Sequence, residues 1–527
     1  MNTLRKFFAE DFVGIFKQLR LSYIPPLMVY LAAGISGLTG IVATFFVKDY
    51  LDLSAAFLAG LGFWAGLPWA LKMPVGHLVD LIWRWKSVLV FIGAALIAVG
   101  LLIVYGLIAH TEYMRQIWPI SNWFVASVII SPVGYVLQDV VADAMTVEAV
   151  PTVDSRGEKI SEEELKSAHT TMQTLGRFAV IGGTVVVSII NIVAFNDTSE
   201  LSRPEKAHVY SEIYLMALAI PLVSIMGVVL AEILKKTGHI PGVPKLQTPT
   251  APNWWILWGS LAFVIFSIGT GLSKVPYSEE IVFTGSMAIV IFLMRKLLTE
   301  LPEDKHATLI GTAIIIFFFR AVPTIGPGNG WFLIDEIGFD EQFFSYLSLI
   351  GSTLTLAGIF VFLPLMSRVK IPWLIVFLSL VWGVLSLPDI GLFYGLHEWT
   401  AALTDGVVDA KFIAIVNTAL ESPLGQVAMI PLLAWIAKNA PDHLKATFFA
   451  VFASFSNLSL SAASLGSKYL NEIFIITREV RDEAQKIITS ADYSELGILL
   501  ITATVIGVAV PCLTVFIIQK GRYRSLD

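Results

Sequence analysis

Charge is what this sequence lacks most. Charged residues make up 14% of its 527 positions, where soluble proteins carry about 25%. A chain with so few charges does not cover a globule in water, which excludes an ordinary soluble enzyme or binding module. Cysteine is nearly absent too: Cys512 stands alone, so no intramolecular disulfide is possible. The 8 histidines are scattered singly, without the spacing of a metal site. Neither a nucleotide loop nor a serine–histidine–acid set suited to one pocket is found. Catalysis, a cofactor and a metal are therefore not expected. The net charge of −6 is spread over loops and identifies no charged partner, and no nucleic acid is expected.

What remains is apolar. Hydrophobic residues make up 56% of the chain, and a membrane-crossing helix needs about 20 such residues in a row. Fourteen stretches qualify, at 23–47, 54–74, 87–109, 120–148, 169–193, 208–235, 253–274, 277–299, 306–335 (interrupted), 341–366, 371–393, 407–437, 445–470 and 494–519. The fold class is an all-α polytopic membrane protein. Lysine and arginine gather at both ends and on alternate loops, which puts both termini in the cytoplasm. Residues 1–22 read as a short interfacial helix, with Phe8, Phe12, Ile15, Phe16 and Leu19 spaced along one face. No cleavable export signal is visible. Compact loops suit a bacterial inner membrane.

One of these spans carries acids where acids are expensive. The run from Val133 to Glu148 holds Asp139 and Asp143 one turn apart on one helical face. Carboxylates inside a spanning helix mark a functional site by default. Arg177, on the antiparallel next span, sits at a similar depth: both groups lie about 12–14 Å from the cytoplasmic end at 1.5 Å per residue. A second set lies in the C-terminal half, where Arg320 and Glu421 each fall about 21 Å along their spans by the same rise. Pro323 and Pro327 after Arg320, and Pro423 after Glu421, predict broken helices there. Each acid–base set serves either as a structural ion pair or as a place to bind protons and solute. Two acids with one basic partner favour proton binding for Asp143, because neighbouring carboxylates disfavour each other's ionisation. Glu148 is expected to be solvated at the interface.

Two halves of the chain repeat each other. Gly34 to Gly40 followed by Phe45 to Asp52 matches Gly326 to Gly330 followed by Trp331 to Asp340, glycine-rich and then aromatic and acidic. Gln138 to Val147 likewise parallels Gly425 to Trp435. Spans one to six and nine to fourteen thus form parallel six-helix repeats, the arrangement of the major facilitator fold. The domains expected are 23–235 and 305–527, with a linker and inserted two-helix hairpin at 236–304. Pro241, Pro244, Pro249 and Pro252 mark that linker. Gly76, Asp80 and Arg84 between spans two and three have the pattern of a conformational latch, with glycine allowing a tight turn and close helix approach. Span thirteen is rich in serine. Asn457, Ser461 and Ser464 share one face, which either packs closely on a neighbour or lines a path for solute. Trp64, Trp69, Phe318, Phe319 and Trp331 offer rings for stacking or simple packing.

On these residues the chain resembles the folate–biopterin transporter family of the major facilitator superfamily. Three places carry the likeness: Leu67 to Pro74 with Gly76 and Asp80, Gln138 to Ala144 with Glu148, and Gly326 to Phe339. It covers the two six-helix halves loosely and leaves out the hairpin at 253–299, which takes the span count from the usual twelve to fourteen. The resemblance implies a cation-coupled carrier, driven by protons, for folates, pterins or similar organic anions. Arg177 and Arg320 would then hold the anion's carboxylates in bidentate fashion, with Asn457 and Ser461 as further contacts. Asp139, Asp143 and Glu421 would be the proton-coupling acids, with protonation freeing Arg177 for solute. The implied partners are a small solute, protons and the bilayer, with the chain acting as a monomer. Two other readings stay open: a permease or exporter for another solute (peptide, cell-wall fragment, drug), and a membrane assembly factor that transports nothing.

Overall fold

In hydrocarbon a backbone has no partner but itself, and long apolar runs therefore fold as helices. The computed structural model describes residues 19–51, 53–70, 72–151, 161–237, 254–273, 275–298, 302–427, 445–481 and 486–525. Eight of the described helices are long and apolar enough to cross a bilayer: Leu21–Tyr50, Ser87–Ala109, Ile120–Ala149, Thr171–Ala194, Arg203–Lys236, Glu341–Ile359, Ile371–Phe393 and Leu496–Lys520. Helices also run over Ala55–Ala70, Trp254–Leu272, Ser278–Leu298, Glu303–Arg320, Ala410–Glu421 and Lys445–Ile473. Most of the expected interfacial helix, at 1–18, and the proline-rich linker at 238–253 lie outside the described residues. One feature departs from an all-helical chain: Val480–Arg481 pairs antiparallel with Ile487–Thr489 before the last helix.

The chain forms two compact units, Met1–Gly40 with Pro74–Leu257, and Ile41–Met73 with Trp258–Asp527. In the first unit, glycines set the distances between helices. Ser87–Ala109 crosses Ile120–Ala149 at Gly93 and Gly134, where a Cβ on either would come within 2.6 Å of the other's carbonyl oxygen. Ile24–Ile35 crosses Glu162–Ala194 at Gly34 and Gly183 in the same manner. A Cβ on Gly34 would lie 2.1 Å from the Val180 carbonyl oxygen, which is backbone and cannot move aside. Gly34→Val is therefore expected to cost about 3 kcal/mol or more and to leave little folded protein; a normal size-exclusion peak in detergent would contradict this.

The first span is not one continuous α-helix. It tightens to a 3-10 turn at Ser36–Thr39 and resumes as Gly40–Tyr50. The unit boundary falls at the end of that turn. Three side chains fasten it: Tyr135 pairs with Ser36, Tyr214 with Thr39, and Asn191 Nδ2 donates to the Leu38 carbonyl at 3.4 Å.

In the second unit, Ala55–Ala70 lies antiparallel along Lys445–Ile473. Positions for a Cβ on Gly60, Gly62 and Gly66 fall 3.4–3.8 Å from Lys468, Ser464 and Ser461 in turn. The predicted break in span nine is present. Glu303–Arg320 ends at Arg320, residues 322–326 are non-helical, and Gly328–Asp335 resumes the helix. Ala410–Glu421 likewise gives way to a 3-10 turn at Ser422–Leu424, as Pro423 requires. Its continuation at 428–444, including Trp435, lies outside the described residues.

Candidate functional site

The acidic motif is tied to the first span through a residue that the sequence does not single out. Tyr30 is buried, and its hydroxyl donates to Asp143 Oδ1 at 2.7 Å. Asp139, Asp143 and Arg177 all exert their charge on that hydroxyl, so the three expected residues converge around Tyr30. Gly176 makes room for the ring: a Cβ there would sit 2.9 Å from it. Arg177 follows directly and is exposed on the same helix. The result is a carboxylate held by a neutral donor, with a second carboxylate and a guanidinium within electrostatic reach.

Gln138, the first residue of the motif, has a different role. It is buried, receives the Ser224 hydroxyl at 2.9 Å and donates to the Val90 carbonyl at 3.4 Å, binding three helices together. Glu148 corrects the expectation of a solvated interface residue. Its side chain is only 7% exposed, set between Lys86 at 2.5 Å and Lys235 at 3.3 Å. The Lys86 ammonium also lies 4.3 Å from the centre of the Trp83 ring, and burial pushes its pKa down despite the carboxylate beside it.

The latch pattern sits on a helix and not in a loop. Gly76 and Asp80 belong to Lys72–Leu81, and Arg84 to a 3-10 turn at Trp83–Trp85. A Cβ on Gly76 would meet nothing within 4 Å among the described residues. The side chains of Asp80 and Arg84 lie outside the described residues.

In the second unit, Arg320 and Glu421 are each the last residue of their α-helix. Glu421 lies near a carboxylate that sequence reasoning passed over: its charge acts on Asp389, of helix Leu387–Phe393. Asn457 Nδ2 donates to the Trp69 carbonyl at 3.0 Å. That bond joins Ala55–Ala70 to Lys445–Ile473 through a backbone carbonyl. Ser461 is buried on the same seam, and its Oγ has no hydrogen-bond partner among the described residues. Of the ring residues, Trp331 is fully buried under Arg478, whose guanidinium lies 4.5 Å from the ring centre.

That arginine belongs to a further cluster. Lys48 near the C-terminal end of the first span bridges Asp335 at 2.5 Å and Asp49 at 3.1 Å. The Tyr493 hydroxyl donates to Asp335, and burial pushes the Tyr493 pKa up. Arg478 Nε and Nη1 donate to the Lys48 and Leu53 carbonyls, both at 2.7 Å. The exits of spans one and nine, the segments expected to repeat each other, meet through Lys48 and Asp335.

The sequence pattern of the BT1 family matches residues 33–525. A folate-biopterin transporter of Synechocystis sp. is similar at 23% identity over 143 residues, 27% of this chain. That match spans 28% of the relative's length. Among solved structures, a POT family transporter in complex with 5-aminolevulinic acid is similar with a TM-score of 0.61 at 13% identity, over 94% of both chains. A peptide transporter POT in complex with alafosfalin gives 0.59 at 14% identity, over 96% of each. The nucleoside transporter NupG gives 0.54 at 11%, over 94% of this chain and 99% of that one. At such identities the likeness establishes the fold, that of the major facilitator transporters.

Proposed function

The chain belongs to the BT1 family, and from that premise we propose that it is a proton-driven secondary carrier, moving a folate- or pterin-like or other organic anion by alternating access. It is an integral membrane transporter of the major facilitator type. The observation that carries the finer reading is the Tyr30–Asp143 hydrogen bond with Asp139 and Arg177 in electrostatic range. With Asp143 and Asp139 ionised, Arg177 is neutralised by them. Protonation of the pair releases the guanidinium for a solute carboxylate, so proton and anion load together. Arg320, at the break in span nine, is the solute-binding cation proposed for the second unit. Glu421, beside Asp389, is the proton-binding group of the second half. Ser461 and Asn457 meet solute where their seam opens, and the unpartnered Ser461 hydroxyl supports that role.

The Ser36–Thr39 turn is the hinge of the first span, as a 3-10 stretch inside a helix often is. Glu148 with its two lysines, together with Gly76, Asp80 and Arg84, latches the cytoplasmic end. The reading keeps fourteen crossings, six-helix halves at 23–235 and 305–527, both termini in the cytoplasm of a bacterial inner membrane, and a monomer.

Uptake of labelled folate into proteoliposomes of the pure protein, with and without a pH gradient acidic outside, tests this. Gradient-dependent accumulation is the expected result. Accumulation of folate that ignores the gradient would overturn proton coupling. No folate flux, with flux of a peptide or cell-wall fragment in the same vesicles, would transfer the reading to another solute. No flux of any solute, with a protein partner retained in detergent, would favour an assembly factor.

A further inference from the structure

The inserted hairpin takes no part in the mechanism above, yet its second helix walls a chamber. Ser278–Leu298 is fastened at its first turn. Lys468 lies 3.4 Å from Glu279 and 3.7 Å from Glu280, and Trp64 Nε1 donates to Glu279 at 3.3 Å. Further along, the contact opens. A cavity of about 560 Å³ lies between Phe283, Met287 and Ile291 of this helix and Glu303–Arg320, Lys445–Ile473 and Leu496–Lys520. Phe455 and Val510 line its far side, and it reaches Pro323 in the break that follows Arg320.

Every side chain lining the chamber is apolar. Pockets of about 300–1,000 Å³ that hold polar ligands carry a few placed polar groups to orient them; here there are none, which excludes an organic anion. Water is equally unsuited, since a buried water needs two or more polar partners. Left empty, the lining would lose contacts on one side. Depth and exposure choose the occupant. Taken as a crossing helix, Ser278–Leu298 carries Phe283 to Ile291 about 8–20 Å from its start at 1.5 Å per residue, within a hydrocarbon core about 30 Å thick. The mouth also runs into exposed apolar surface: Ile291 is 41% and Phe318 42% exposed, and Phe292 beside them is 56% exposed. The chamber is therefore continuous with the boundary between protein and lipid.

We infer that this chamber is an acyl-chain site, in which one tail of a bilayer lipid lies between the inserted hairpin and the broken ninth span. The hairpin gives the break an apolar flank, and the lipid tail completes it.

The test uses full-length protein in vesicles of phosphatidylcholine bearing a diazirine at the end of one acyl chain. After irradiation, adducts are mapped by peptide mass spectrometry. Adducts on Phe283–Ile291 and Phe317–Pro323 should exceed those on Trp373 and Leu380, two exposed residues of the apolar helix Ile371–Leu385, by about fivefold, the ratio that about 1 kcal/mol of preference gives. Ala462→Trp fills the chamber and should abolish that excess while leaving Trp373 and Leu380 labelled. Phe283→Ala enlarges the chamber and should raise the excess, which keeps the test valid if the tryptophan variant fails to fold. Uniform labelling across these positions, or an excess unmoved by either substitution, overturns the assignment.

Discussion

Asp143→Asn is expected to abolish proton-driven accumulation and to leave solute exchange running. A carrier that moves one proton with each solute sustains about tenfold accumulation per unit of pH gradient, because one pH unit is about 1.4 kcal/mol. The asparagine keeps the shape of the side chain and an oxygen to accept from Tyr30, so the packing at Gly176 survives. What it cannot do is carry a proton. The accumulation ratio should therefore fall from about ten to about one per pH unit, with counterflow of labelled against unlabelled solute preserved. Unaltered accumulation would sink the assignment.

Tyr30→Phe separates positioning from proton transfer at the same site. The ring stays, and the donor to Asp143 goes. Without that bond the carboxylate loses the partner that holds it in place. Gradient-driven uptake should fall about tenfold, the factor that about 1.4 kcal/mol for a hydrogen bond to a charged group gives, with the amount of folded protein unchanged. Unaltered uptake would remove Tyr30 from the mechanism.

How far these groups were legible in sequence depends on how unusual each looks in its surroundings. Asp139 and Asp143 stand out because a charge in an apolar run is costly. The break after Arg320 is legible because Pro323 and Pro327 lack the N–H a helix needs. Tyr30 is not, since a tyrosine in an apolar span is ordinary packing until its hydroxyl is seen to meet an acid 113 residues away. Asp389 sits near the end of a span, where an acid usually faces solvent, and nothing in the chain order joins it to Glu421. Glu148 was misjudged for the same reason, its first lysine partner lying 62 positions earlier. Helices follow from composition, whereas pairings between distant segments follow from packing that composition does not encode.

The largest structural effect outside the acidic motif is expected at Asp335. Lys48 is 6% exposed, and removing one partner of a buried pair typically costs about 3–5 kcal/mol, because the other charge is stranded. Asp335→Ala leaves Lys48 with Asp49, which is more exposed and adjacent in sequence, and takes the acceptor from Tyr493. The loss should fall near the lower end of that range. It should appear as local opening around Leu51, which is 4% exposed beside the cluster. In a Leu51→Cys, Cys512→Ser background, maleimide labelling is expected to accelerate about a hundredfold on Asp335→Ala, the population change that about 2.8 kcal/mol gives. Asp335→Asn keeps an acceptor for Tyr493 and should fall between. Replacing both charges, Lys48→Met with Asp335→Leu, should return labelling towards the parent rate, since an apolar pair of similar volume leaves no charge stranded. If Asp335→Ala leaves the rate unchanged, Lys48 is not held by Asp335. The C-terminal half of the first span would then rest on its other contacts, the Arg478 bonds to the Lys48 and Leu53 carbonyls among them.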